Sequence, residues 1–192
     1  MIPRVIHRWW EPGAPSPLEP WNYNVLRSLH PNWEIRDHTG MPDVDISQVV
    51  PEDITRHRSN VFRYRVLYAY GGLWLDHDMI ALKPLDSLVD GGPVTAGYGT
   101  KREGGMLAFE AGHPLLKLLL DYVEDQPRHS NRRSCDVSGA NVLTALGMRF
   151  PEVRIDSSTL PFDAAGNRTG VQDPLAVHTW MTSSKRAAET PK

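Results

Sequence analysis

Ser59-Asn60-Val61-Phe62-Arg63-Tyr64-Arg65-Val66-Leu67-Tyr68-Ala69-Tyr70-Gly71-Gly72-Leu73-Trp74-Leu75-Asp76-His77-Asp78 is the stretch on which the fold turns. The span from Glu52 to Tyr70 holds neither glycine nor proline and predicts one long helix. On a 3.6-residue period Phe62, Val66 and Ala69 form a stripe suited to burial, while Arg56, Asn60 and Arg63 form a polar one. Gly71-Gly72 end the helix, because glycine takes the left-handed conformation that closes a last turn without a Cβ clash. Leu73-Trp74-Leu75 predicts a short buried strand that runs directly into Asp76-His77-Asp78.

In an extended segment, residues i and i+2 share a side. Asp76 and Asp78 therefore point together, and His77 points away from them and out of any shared ligand set. Two carboxylates so placed at the end of an apolar strand repel each other and are costly to desolvate without a counter-charge. A divalent cation resolves the conflict, and carboxylate oxygen suits hard ions such as Mg²⁺ or Mn²⁺. An ion held by few protein ligands keeps positions open for phosphate oxygens, which is an arrangement for holding a diphosphate. Taken alone, Asp-x-Asp after a strand is more often a solvated turn.

Outward from this centre, Ile2–Trp10 predicts a core strand that ends in the proline-broken loop Glu11–Pro15. Pro20–Leu29 predicts a short helix and Trp33–Arg36 a second strand, giving an opening β-α-β. Downstream, Met79–Leu82 continues extended until Lys83-Pro84. His113–Val123 and Ser138–Gly147 predict helices, and Val153–Ile155 and Leu175–His178 predict late strands. This alternation argues an α/β fold with a mostly parallel sheet. Composition is even along the chain, so residues 1–184 read as a single domain, with 185–192 a disordered tail.

With 192 residues, 40% of them apolar, the chain can bury a real core. Its 21 basic and 23 acidic residues leave a formal charge of −2, which disfavours a nucleic-acid partner. No apolar run approaches the roughly 20 residues of a membrane helix, and the Met1-Ile2-Pro3-Arg4 start does not read as a signal peptide, so the expected location is the cytoplasm. Cys135 is the single cysteine, which excludes an internal disulfide and a multi-cysteine zinc site; it reads as a packing residue. The basic segment Arg128–Arg133 reads as a solvated loop. Trp9 and Trp10 are adjacent, so one faces the core and the other outward.

The run from Ser59 to Asp78 resembles the Ser-Asp-x-x-Arg-Tyr-x-x-Leu-Tyr-x-x-Gly-Gly-x-Tyr-x-Asp-x-Asp signature of glycosyltransferases with a sugar-binding Asp-x-Asp (DXD) motif. These are the family-32-like enzymes related to yeast initiating mannosyltransferases, capsular-polysaccharide transferases and clostridial glucosylating toxins. Ile2–Trp10 is similar to the family's opening strand, with its His-x-x-Trp, and Leu82-Lys83-Pro84-Leu85 to the stretch after its metal motif. Ser138–Thr144 looks like a family helix start, and His178–Ser184 resembles its closing segment. The resemblance implies a GT-A-like, Rossmann-like nucleotide-sugar-binding fold with a mixed, mostly parallel sheet flanked by helices. It implies a metal-dependent hexosyltransferase of polysaccharide or glycoconjugate synthesis, acting with retention from a nucleotide-sugar donor to a saccharide or other hydroxyl acceptor. A uridine diphosphate sugar is expected ahead of a guanosine diphosphate sugar.

Carried over by position, the resemblance assigns Asp76 and Asp78 to Mn²⁺ or Mg²⁺, with Asp78 the more direct ligand and Asp76 reaching also toward the ribose or donor sugar. Arg63 and Asn60 would contact the donor sugar or diphosphate, Arg63 with a catalytic part, and Trp10 would stack on the base. His178, or a hydroxyl such as Ser183, would complete the metal and phosphate shell, and His7 and Trp180 fall in the segments matched to the donor site. On its own chemistry, His7 in a buried strand reads more readily as a hydrogen-bonded core histidine. One departure is Asn60, where the family has aspartate: the amide keeps an acceptor oxygen, loses the charge and gains a donor. That motivates a second reading, a catalytically weakened nucleotide-sugar or carbohydrate binder of the same fold. A phosphoryl transferase of the aspartate-nucleophile type also places Asp-x-Asp after a strand, but wants Thr or Val at the position of Ile80 and gives the upstream helix no role.

Overall fold

The computed structural model describes residues 1–13, 21–159 and 170–178. The opening β-α-β is β1 (Val5–Trp9), α1 (Trp21–Leu29) and β2 (Glu34–His38), followed by the long helix α2 (Ile54–Tyr70) and strand β3 (Gly72–Leu75). A short 3-10 turn over Pro51–Asp53 leads into α2, so the helix begins two residues later than its sequence pattern suggests. Then come β4 (Met79–Ala81), α3 (Asp86–Asp90), β5 (Val94–Tyr98), β6 (Lys101–Phe109), α4 (Pro114–Glu124), α5 (Ser134–Val137), α6 (Ala140–Gly147), β7 (Arg154–Asp156) and β8 (Ala176–His178).

Six strands form one sheet in the order β2-β1-β3-β6-β5-β7, and β4 pairs with β8 in a separate ribbon. Three of the five pairings in the large sheet are parallel, β1 with β2, β1 with β3 and β5 with β7, so the sheet is mixed and mostly parallel. Leu73 and Leu75 face one layer, in a core with Ile6, Leu26 and Trp33. Trp74 faces the other, among Tyr64, Leu67, Leu115 and Leu119 of α2 and α4. Both faces are thus covered by helix, as the near-continuous apolar run of β3 requires.

The double glycine is sterically required. Gly71 and Gly72 have φ of 65° and 106°, and a Cβ on Gly72 would stand 2.7 Å from the Val5 carbonyl oxygen. That contact is what lets β3 lie against β1 immediately after α2.

Sequence reading places no strand between Leu85 and His113, but the structure puts the hairpin β5–β6 there. Its residues include Gly97, Gly99, Gly104 and Gly105, which weaken a strand pattern in the sequence. On β5 the partners pass from Thr95↔Leu107 to Ala96↔Glu103, so residues 104–106 bulge out of the ladder between them. The basic loop also departs from a simple solvated segment: Arg133 holds the buried Asp53 carboxylate at 2.8 Å, and the Ser134 amide donates to the same oxygen at 2.8 Å. The tail 185–192 lies outside the described residues.

Candidate active site

β1 and β3 are parallel neighbours, and the chain leaves β1 toward β2 on the opposite side from β3. A crevice opens at such a switch point outside the carboxyl ends of the strands, and the residues that follow β1 and β3 line it. Trp10 follows β1 and Asp76 follows β3. The bulge of β6 reaches the same end, where the Gly105 carbonyl accepts the Asp76 amide at 2.8 Å. The β4–β8 ribbon supplies the remaining side chain, since its antiparallel register sets Met79 opposite His178.

Asp76, Asp78 and His178 therefore converge. One ligand atom from each lies within 4.8 Å of the others. His178 Nε2 is 3.1 Å from Asp78 Oδ1, and those side chains are 7% and 4% exposed. Asp76 is held from behind, with the Trp74 indole N–H donating to Oδ1 at 2.7 Å and the Arg63 guanidinium pairing with the same oxygen at 3.0 Å. Arg63 also lies over the Trp74 ring, 5.6 Å from its centroid, and donates to the Ser59 hydroxyl at 2.9 Å, so its position is fixed from three directions. The polar stripe of α2 predicted from spacing thus brings Arg63 to Asp76.

The electrostatics follow from packing like charges in a poorly hydrated place. Burial pushes the Asp76 carboxyl above its usual range; Arg63 opposes this, and the neighbouring Asp78 charge adds to it. At His178 burial alone would favour the neutral ring, but the hydrogen bond and charge of Asp78, with Asp76 and Glu103 behind it, raise its pKa above the ordinary value. Glu103 on β6 is a neighbour that sequence reading misses. Its carboxyl is raised by burial, an effect reduced by the nearby positive charges of His178, Arg63 and Lys101.

The donor set fits a hard divalent cation. In an octahedral shell of bonds near 2.2 Å, adjacent ligand atoms are about 3.1 Å apart and opposite ones about 4.4 Å. The 3.1 Å between His178 Nε2 and Asp78 Oδ1 matches an adjacent pair, and all three ligand atoms lie within 4.8 Å of one another. Two carboxylates and one imidazole leave half of such a shell for other oxygens.

His77 points away, but from a turn and not from the extended segment expected from sequence: residues 76–78 link β3 to β4, with the Met79 amide donating to the Asp76 carbonyl at 2.8 Å. His77 Nε2 is 2.8 Å from Arg8 Nη2, and its ring lies 5.3 Å from that of Trp10 at 38°. Trp9 is buried and its indole donates to the Gly40 carbonyl at 3.0 Å, whereas Trp10 is half-buried beside His77 at the carboxyl end of β1. His7 is not brought to the cluster. It is fully buried, with Nε2 3.0 Å from the Gly71 carbonyl oxygen and Nδ1 3.0 Å from His38 Nε2. Burial lowers its pKa to about 4. Asn60 is one turn from Arg63 but faces elsewhere: its amide donates to the Ser138 hydroxyl at 3.2 Å, beside His57 Nδ1, which is 2.9 Å from the same oxygen. Trp180 and Ser183 lie outside the described residues. Among the described residues, no helix is long and apolar enough to cross a membrane.

Comparison with known proteins agrees with this geometry. Residues 21–94 match the family described as glycosyltransferase sugar-binding region containing DXD motif. The glycosyltransferase afumC of Aspergillus fumigatus is 31% identical over 107 residues, covering 44% of this chain and 27% of that protein. Inositol phosphoceramide mannosyltransferase 3 of Schizosaccharomyces pombe is 26% identical over 140 residues, covering 66% of this chain and 38% of that protein. The chain thus spans well under half the length of these relatives. Among solved structures, the PaToxG glycosyltransferase superposes with a TM-score of 0.61 at 15% identity, covering 78% of this chain and 70% of that one. A glycosyltransferase involved in glycosylation of the major capsid of PBCV-1 gives 0.59 at 14% identity, covering 96% of this chain and 95% of that one. Residues 21–94 thus resemble the glycosyltransferase sugar-binding region that contains the DXD motif, and the chain around them has the GT-A fold.

Proposed function

We propose that this chain transfers a sugar from a nucleoside-diphosphate sugar to a hydroxyl of a saccharide or glycoconjugate acceptor, with Mn²⁺ or Mg²⁺ bound and with retention of configuration. The observation that carries the reading is the meeting of Asp76, Asp78 and His178 at the carboxyl ends of β1 and β3. Asp76, Asp78 and His178 would hold the cation, whose chemistry is Lewis-acid neutralisation of the charge that grows on the leaving diphosphate. Arg63 keeps Asp76 oriented through their ion pair, and Trp74 supports the same oxygen. Trp10, half-buried beside His77 at the carboxyl end of β1, is the aromatic face for the base, with uridine the first base to test and guanosine the second. The crevice walls orient donor and acceptor so that the acceptor hydroxyl approaches from the face the diphosphate leaves, a displacement that depends on positioning.

Turnover tests the reading and separates a transferase from a binder of the same fold. Uridine and guanosine diphosphate sugars are incubated with the protein and Mn²⁺, and release of the nucleoside diphosphate is followed, with the anomeric product read by NMR. Release that stops on chelation and in Asp78→Ala, with retained configuration in the product, is the expected result. Donor binding without release would favour the weakened binder. A trapped covalent glycosyl-enzyme would contradict the front-face displacement.

A further inference from the structure

Glu103 is a half-buried carboxylate whose chemistry the cation site does not use. Among the described residues it receives no hydrogen bond and forms no ion pair, and it is not among the groups that converge as metal ligands. Its neighbours are nevertheless those of the site, since the charges it feels are those of His178, Arg63, Lys101 and Asp76. The strand explains the placement. A Cβ on Gly104 would come within 2.1 Å of Arg63 Nη1, and one on Gly105 within 3.1 Å of His178 Cε1. The two glycines let Arg63 and His178 lean against β6, and Glu103 is the first side chain on the strand beyond them.

A carboxylate in such a position has no donor from the described residues of the protein, so a ligand entering the site in place of water can supply them. A diphosphate has none to offer and would be repelled; a sugar presents several hydroxyls. Asn60 gives its NH₂ to the Ser138 hydroxyl and is left with only an uncharged acceptor oxygen, a weaker partner for a hydroxyl than a carboxylate. Resting on the donor-site reading above, we propose that Glu103 grips a hydroxyl of the transferred sugar and that it, rather than Asn60, sets the selectivity for the donor's sugar.

The test separates the sugar from the nucleotide. With Mn²⁺ present, calorimetry gives the affinity of UDP and of GDP, and then of UDP-glucose, UDP-galactose and GDP-mannose, for the wild-type chain, Glu103→Gln, Glu103→Ala and Asn60→Ala. Circular dichroism checks that each variant is folded. The expected result is that nucleoside diphosphate affinity stays within about twofold in the Glu103 variants, while the preferred nucleotide sugar weakens about tenfold or more in Glu103→Ala and less in Glu103→Gln, which keeps an acceptor oxygen. The ranking of sugars should flatten in Glu103→Ala and persist in Asn60→Ala. Unchanged nucleotide-sugar affinity and ranking in folded Glu103→Ala would overturn the proposal. Failure of the wild-type chain to bind any nucleotide with Mn²⁺ would instead overturn the donor-site reading on which it rests.

Discussion

At Asp76, two donors from the protein, the Trp74 indole and the Arg63 guanidinium, meet a single carboxylate oxygen at 2.7 and 3.0 Å. Such supporting contacts fix a ligand's orientation, and their removal typically costs 10- to 100-fold in metal affinity. Arg63→Met should therefore weaken Mn²⁺ binding by about tenfold or more and lower stability by about 2–4 kcal/mol, because it leaves a largely buried carboxylate without its partner. Metal titration and chemical denaturation read the two effects, and an unaltered Mn²⁺ affinity would remove Arg63 from the site. Residues at this scale differ in how legible they are. Asp76, Asp78 and Arg63 lie within sixteen positions of one another, so a helix, the short strand after it and the turn closed by the Met79 amide on the Asp76 carbonyl bring them together locally. Position 178 is 100 residues from Asp78, and only strand pairing in the β4–β8 ribbon brings it there. Glu103 shows no local pattern at all, since its role depends on a bulge in the strand that carries it.

The hairpin β5–β6 is the element that sequence reading misses, and the reason is physical. Its glycines interrupt the alternation of apolar and polar side chains by which a strand is recognised, yet each answers a close approach that exists only in the folded sheet. A Cβ on Gly97 would stand 2.1 Å from the Lys101 carbonyl oxygen, and Gly104 makes room for Arg63. By contrast, α2 and the double glycine after it are legible, because capping and helical spacing are local properties. Gly104→Ala tests the element. The added methyl meets the far end of the Arg63 side chain, which can move, so the variant should fold with a small loss of thermal stability but lose several-fold in Mn²⁺ affinity as Arg63 leaves Asp76. Equal metal affinity in Gly104→Ala and wild type would show that β6 does not shape the site.

Over the whole molecule, burial keeps a set of histidines neutral. His7 is lowered to about 4, and His30, His38, His57 and His113 are lowered in the same direction, each with burial as the largest cause. Between the folded value and the ordinary value of 6.5 the unfolded chain binds protons that the native chain does not, so the contribution of these rings to stability is complete above about pH 6.5 and falls as pH drops toward 4; His178, whose pKa is raised, contributes in the opposite sense. His7 alone should account for about 3 kcal/mol of that loss. Denaturant midpoints measured from pH 7.5 to 4.5 should decline, and His7→Gln should flatten the decline; a flat wild-type profile would contradict the burial assigned to these rings. The same architecture sets two parallel strands side by side so that Trp10 and Asp76 emerge at one end, and the ribbon adds His178. The central claim is that Asp76, Asp78 and His178 hold a divalent cation that seats a nucleoside diphosphate. Calorimetric titration of UDP and GDP, each with and without Mn²⁺, into the wild-type chain and Asp78→Ala tests it most directly. The account predicts that one of the two nucleotides binds only with Mn²⁺ present and that Asp78→Ala abolishes this binding; binding of neither to the Mn²⁺-loaded wild type, or undiminished binding to Asp78→Ala, would contradict it.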